Sequence, residues 1–125
     1  MIREKKERKY EELLSRQVSL NPNDSRTLWF LGRTHHRWGM RQKAAREFEQ
    51  AIQSLSRPVE ALQASLGLAQ IYIEENHISK AMSVLEEAER IYFDYKNDIE
   101  VKVNASLLRT IQQEYQTLSK IRIPE

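Results

Sequence analysis

Apolar residues recur every three or four positions along most of this chain, which is the period of an amphipathic α-helix. The clearest stretch lies between residues 28 and 51, where two such faces follow one another. Its residues are Leu28, Leu31, Gly32 and His35 on the first face and, after Gly39, Ala44, Phe48 and Ala51 on the second. Gly32 and Ala44 are small enough for two helical backbones to approach closely. The pattern therefore predicts two helices that form a hairpin with its turn at Gly39.

A second segment repeats this pattern 37 residues further along the chain. The matching residues are Leu68, Ala69, Tyr72, Ala81, Leu85 and Ala88. Six matches at one constant offset indicate an internal repeat, in which each copy is one helical hairpin.

The spacing within each copy resembles the tetratricopeptide repeat, a unit of about 34 residues made of two helices. The first copy fits the family's signature position by position, with His35 where an aromatic residue is usual. Pro22 stands where a preceding repeat would end. The second copy fits more loosely, with Phe93 in place of the terminal proline. The resemblance implies an all-α fold, an α-solenoid of two such hairpins.

The remaining segments predict one further helix at each end of these hairpins. We expect a single domain over residues 1–125 with about six helices. Its parts are an N-terminal half-repeat helix (2–20), repeat 1 (25–56), repeat 2 (59–95), a C-terminal capping helix (98–119) and a frayed tail (121–125).

Composition and charge argue against a disulfide-stabilised protein and against a membrane protein. The formal net charge is +2, with no cysteine for a disulfide framework. Residues 1–57 carry 13 basic and 7 acidic side chains, whereas residues 58–125 carry 7 basic and 11 acidic ones. No apolar run follows the charged N-terminus, and none approaches the length of a membrane span. We therefore expect a soluble, cytoplasmic protein that does not bind membranes.

Candidate binding residues follow from the resemblance, because in this family the first helix of each hairpin lines a concave groove for a partner segment. The positions carried over are Arg26, Trp29, Arg33, His36 and Arg37 in repeat 1, and Gln63, Leu66, Gln70 and Ile73 in repeat 2. Arginines beside a tryptophan suit carboxylates next to an apolar side chain. The second set is neutral and partly apolar. We expect a protein or peptide partner of acidic or mixed composition.

Three alternatives stay open at this stage. The exposed arginines could simply keep a helix surface soluble. The opposite charges of the two halves could instead join copies of the chain into a homo-oligomer, basic half on acidic half. Nucleic-acid binding ranks last, because acidic residues are interleaved with the basic ones and only Trp29 offers a stacking face.

No motif in the sequence supports catalysis. It has no phosphate-binding glycine loop, no nucleophile paired with a base, and no ligand spacing typical of a metal site. His35 and His36 point about 100° apart on a helix, and no cysteine or suitably spaced carboxylate joins them and His77 in a ligand set. We predict no catalytic residue, no cofactor and no metal, and therefore a binding protein such as an adaptor or scaffold.

Overall fold

The computed structural model describes the backbone of residues 2–121 and the side chains of residues 5–121. Within this range the chain forms helices and no strand, so the predicted all-α helical repeat fold is confirmed. The seven helices of this range are α1 (Ile2–Leu20), α2 (Ser25–Arg37), α3 (Arg41–Ser54), α4 (Pro58–Glu74), α5 (Ile78–Asp94), α6 (Ile99–Val103) and α7 (Ser106–Ile121). Ile121 ends α7, and the rest of the predicted frayed tail lies outside the described residues.

The helices α2 and α3 form one hairpin, and α4 and α5 form the second. The turn of the first hairpin contains Gly39 with a φ of +81°, and the turn of the second contains Asn76 with a φ of +62°. Glycine adopts this left-handed conformation without strain, and asparagine tolerates it better than most residues. The two turns therefore share a backbone shape at positions that are 37 residues apart.

Consecutive hairpins are packed together through one aromatic ring. Phe48 of α3 is buried between α2 and α4, where it lies against Gly32 on one side and Gly67 on the other. The ring thereby joins the helices of its own hairpin to the first helix of the next. Further along, α7 packs on α5.

The C-terminal capping segment differs from the single helix predicted over 98–119. It is broken at Asn104 into the short helix α6 and the longer helix α7. The Asn104 side chain donates a hydrogen bond to the Glu100 carbonyl, and its backbone N–H donates to the Val101 carbonyl. Such local bonds compete with the regular helical ladder, because asparagine offers the backbone an alternative partner. Periodicity alone did not reveal this break.

A buried histidine connects α1 to the first hairpin. His35 of α2 is fully buried, and its Nδ1 lies 2.6 Å from Glu47 Oε1 on α3. Its Nε2 lies 3.1 Å from Glu11 Oε2 on α1. The ring therefore lies between two carboxylates, one on each neighbouring helix. His35 therefore occupies the packing position predicted for it, with polar partners on two other helices.

Candidate functional site

The predicted binding residues lie on helices α2 and α4. We call this surface the α2–α4 face; its members are Arg26, Trp29, Arg33, His36 and Arg37 of α2 and Gln63, Leu66, Gln70 and Ile73 of α4. Asp24 fixes the start of α2, since its side chain accepts hydrogen bonds from the backbone N–H groups of Arg26 and Thr27. Pro58 starts α4 at a position where a proline costs no hydrogen bond.

One end of the α2–α4 face contains an open pocket of about 370 Å³. Three of the predicted residues line it, namely Arg26, Trp29 and Gln63. The pocket also includes residues that sequence reasoning did not select: Phe30, Arg57, Val59, Glu60, Glu100 and Asn104. The walls come from α2, α4 and α6, from Arg57 before α4 and from Asn104 after α6, so this end of the face depends on the docking of the C-terminal segment.

Two arginines on this face rest on aromatic rings. The guanidinium carbon of Arg33 lies 4.8 Å from the centre of the Trp29 ring and 5.1 Å from that of Phe30. The guanidinium carbon of Arg26 lies 5.8 Å from the Phe30 ring. Within residues 5–121 neither arginine forms an ion pair. Their positive charges are therefore not neutralised by another part of the described structure.

A third arginine in the same pocket, Arg57, differs from Arg26 and Arg33 because it forms ion pairs. Arg57 pairs with Glu60 at 3.2 Å and with Glu100 at 3.4 Å. The Glu60 carboxylate, followed by Glu100, raises the pKa of the Arg57 guanidinium above its ordinary value. Arg57 thus links α4 to α6, and its charge is already matched by two carboxylates.

The other end of the face is crossed by a hydrogen bond between the two hairpins. His36 Nε2 lies 2.8 Å from Glu74 Oε1, and Arg41 Nε donates to the same oxygen at 3.3 Å. The hydrogen bond to His36, aided by one from Gln70, holds the pKa of Glu74 below its ordinary value. His36 and Gln70 are therefore already engaged with Glu74, and they close this end of the face.

The remaining predicted residues differ in how accessible they are. Arg37 is exposed and has no hydrogen-bond or ion-pair partner in the described part of the chain. Leu66 and Ile73 are half-buried and pack against the core formed with α5 and α7. Only the exposed part of these two side chains is available for contact with a ligand.

Phe30 lines this site and was not among the predicted binding residues. It follows Arg26 by four positions and precedes Arg33 by three, so it shares their side of α2. Its ring also meets Tyr10 of α1 in an edge-to-face contact at 6.4 Å. The neighbouring sequence could not predict that α6 lines the pocket, because this contact depends on how a segment distant in sequence packs against α4.

Within the described residues, no cluster of histidine, aspartate and glutamate is arranged to hold a metal ion. Nor does any helix of that range combine the length and the apolar character needed to cross a bilayer.

Comparison with known families identifies the architecture. Residues 62–95 match the tetratricopeptide repeat family. This match supports a repeat protein of the tetratricopeptide type. The matched tetratricopeptide repeat covers most of α4 and all of α5, which is the copy whose residues fit the signature more loosely. Proteins of this type generally act as protein–protein interaction modules without catalytic activity. A comparison with curated proteins found no match.

Proposed function

We propose that this chain is a non-enzymatic binding module whose α2–α4 face holds a partner segment rich in carboxylates. Arg26 and Arg33 receive the acidic side chains, and Trp29 contacts an apolar side chain beside them. Arg37 extends the basic row along α2. The tetratricopeptide repeat supports the class of function, and the chemistry of these residues supports the class of partner.

The observation that carries this proposal is the position of Arg33 over two rings. The two rings attract the guanidinium, and no carboxylate of the described residues is paired with it, so its N–H donors are available to a ligand. Those donors can take a carboxylate in the paired geometry that makes arginine–carboxylate bonds strong. The rings also restrict the side chain before a ligand arrives, so less conformational entropy is lost on binding.

The neighbouring residues on α4 support the same class of ligand. Gln63 shares the pocket with Arg26 and Trp29 and can donate or accept a hydrogen bond. The acidic side chain of Glu60 is engaged by Arg57, so it competes less for the arginines of α2. The α4 side of the pocket therefore leaves room for a partner segment whose carboxylates point toward the arginines of α2.

A peptide selection tests this proposal and does not require an identified partner. A random peptide library displayed on phage is selected against the wild-type protein, and the recovered peptides are titrated against wild type and Arg33→Glu. We expect the recovered peptides to be enriched in aspartate and glutamate. We expect charge reversal at Arg33 to weaken binding about tenfold or more, which corresponds to about 1.4 kcal/mol.

The matched control is Arg109→Glu, the same charge change at an exposed position on α7. This variant should bind the selected peptides like wild type, and circular dichroism should show equal helicity for both variants. Peptides without acidic enrichment, or equal losses for Arg33→Glu and Arg109→Glu, would contradict the proposal.

A further inference from the structure

The helices of the described chain pack in a regular order, and in that order α1 and α7 each lack a hairpin partner. Each second helix of a hairpin packs against its own first helix and against the next first helix, as α3 does with α2 and α4. The helix α5 does the same with α4 and α7. By this rule α1, which packs on α2, is a second helix, and α7 is a first helix. Within residues 2–121 neither of them has a hairpin partner.

The outer side of α1 has an apolar stripe with basic residues beside it. Tyr10, Leu13 and Leu20 lie along this side with exposed fractions of 43%, 59% and 82%. Exposed Lys9 and Arg16 lie along one edge of the stripe. Neither forms an ion pair within the described side chains. This combination, called here the α1 stripe, is an apolar helix face that a packed neighbour would cover.

At the other end of the stack a groove runs between α5 and α7. A pocket of about 230 Å³ in this groove is lined by Leu85, Glu86, Glu89, Ile111 and Tyr115. Leu85 and Ile111 are buried and form its apolar floor. Glu86 accepts a hydrogen bond from the Tyr115 hydroxyl, and Glu89 accepts one from Gln112. Neither carboxylate has a cationic partner in the described structure.

We propose that a second copy of this chain places its α1 stripe in the α5–α7 groove, so that α7 of one copy and α1 of the next form a complete hairpin. Leu13 then covers the apolar floor, and Lys9 and Arg16 face Glu86 and Glu89. The basic N-terminal half meets the acidic C-terminal half, as the charge distribution favours. The contact joins different surfaces of two copies, so it produces open stacks that continue the helical repeat. This inference does not depend on the proposed function of the α2–α4 face.

Sedimentation velocity of the full chain at low and high salt provides the first test. We expect the average mass of the wild type to rise above the 14.8 kDa of one chain as concentration increases at low salt. High salt should reduce it, because the charge pairs at the edges are screened. A wild type that stays monomeric at every concentration and salt level would overturn the proposal.

Two variants, Leu13→Glu and Glu86→Lys, each disable one of the two surfaces. Each should be monomeric alone, because every contact requires one intact α1 stripe and one intact groove. Mixed in equal amounts they should form a heterodimer and stop there, since each contributes one intact surface. If either variant still associates alone, or if the mixture stays monomeric, the head-to-tail contact is wrong.

Matched controls carry the same chemical change at other exposed positions. Met40→Glu, in the turn between α2 and α3, introduces a glutamate in place of an exposed apolar residue. Glu75→Lys reverses a charge at the end of α4. Both controls should associate like wild type. A loss equal to that of Leu13→Glu and Glu86→Lys would assign the effect to net charge rather than to these surfaces, and would count against the proposal.

Discussion

The ring of Phe48 lies so close to Gly32 that a Cβ atom at residue 32 would stand 2.6 Å from its Cε1. The opposite side of the ring is equally confined, because a Cβ at Gly67 would stand 2.7 Å from its Cζ. Phe48 is only 1% exposed, so the ring cannot move away from one helix without meeting the other. The close approach of α2, α3 and α4 therefore requires glycine at both positions.

We expect Gly32→Ala to lower the free energy of unfolding by up to about 2 kcal/mol. Overpacking a core costs about 1–3 kcal/mol, and the better helix propensity of alanine returns about 1 kcal/mol. Urea denaturation followed by circular dichroism measures this difference. In a Phe48→Leu background the same change should cost less, because the smaller side chain removes the clash. A cost that is independent of residue 48 would show that the ring is not the cause.

The hydrogen bond between His35 and Glu11 predicts how stability depends on pH. It lowers the pKa of Glu11 in the folded protein. A carboxyl group with a lowered folded pKa stabilises the fold above its unfolded pKa, and this contribution is lost as the pH falls through the folded pKa. Glu11→Gln should therefore cost about 1–2 kcal/mol at pH 7 and much less at about pH 3. Urea unfolding over this pH range tests it.

The pKa of Glu47, the other partner of His35, is shifted in the opposite direction to that of Glu11. Its side chain is 13% exposed against 21% for Glu11, and burial raises its pKa despite the hydrogen bond to His35. A raised carboxyl pKa favours folding below the unfolded pKa, and this contribution is lost as the pH rises through the folded pKa. The difference between wild type and Glu47→Gln should therefore change with pH in the direction opposite to that for Glu11→Gln. Parallel curves for the two variants would contradict this account of the His35 contacts.

Asp24 caps the helix that carries the basic row. Its carboxylate accepts bonds from the Arg26 and Thr27 N–H groups and from the Thr27 hydroxyl at 2.8 Å. Asp24→Ala should lower the free energy of unfolding by about 1 kcal/mol, whereas Asp24→Asn keeps an acceptor and should lose less. Thermal melts of the three proteins measure these differences. Equal melting temperatures for wild type and Asp24→Ala would mean that the cap does not stabilise α2.

The sequence predicted the hairpins because their signal is local. In repeat 1 the small residues Gly32 and Ala44 and the large residue Phe48 stand at helical spacing, and repeat 2 has residues of similar size 37 positions later. Gly39 and Asn76, also 37 residues apart, both have a positive φ in the hairpin turns. The partners of His35 were not predictable in the same way. Glu11 and Glu47 lie 24 and 12 residues from it, so their meeting depends on the angle at which whole helices dock.

In the candidate site, too, the arrangement of residues within one helix was predictable from the sequence, whereas contacts between separate helices were not. The spacing within α2 places the arginines on one side of the helix with Trp29, and the family resemblance selected that side as the binding face. The pairing of His36 with Glu74 and the contribution of Glu100 to the pocket involve separate helices, and no spacing rule connects them. Leu66 and Ile73 were carried over from the groove positions of the family, and those positions could not show how far α5, α6 and α7 would cover the two side chains.

The two tryptophans of the chain allow the most direct test of the α2–α4 face. Trp29 lines the pocket there, whereas Trp38 donates its indole N–H to Glu7 at 3.0 Å, away from that pocket. Each indole N–H gives its own signal in a nitrogen–proton correlation spectrum of labelled protein, and Trp29→Phe assigns the two. When an acidic peptide from the phage selection is added, the Trp29 signal should shift and that of Trp38 should stay in place. A shift confined to Trp38, or binding that moves neither signal, would contradict the proposal that this face holds the partner.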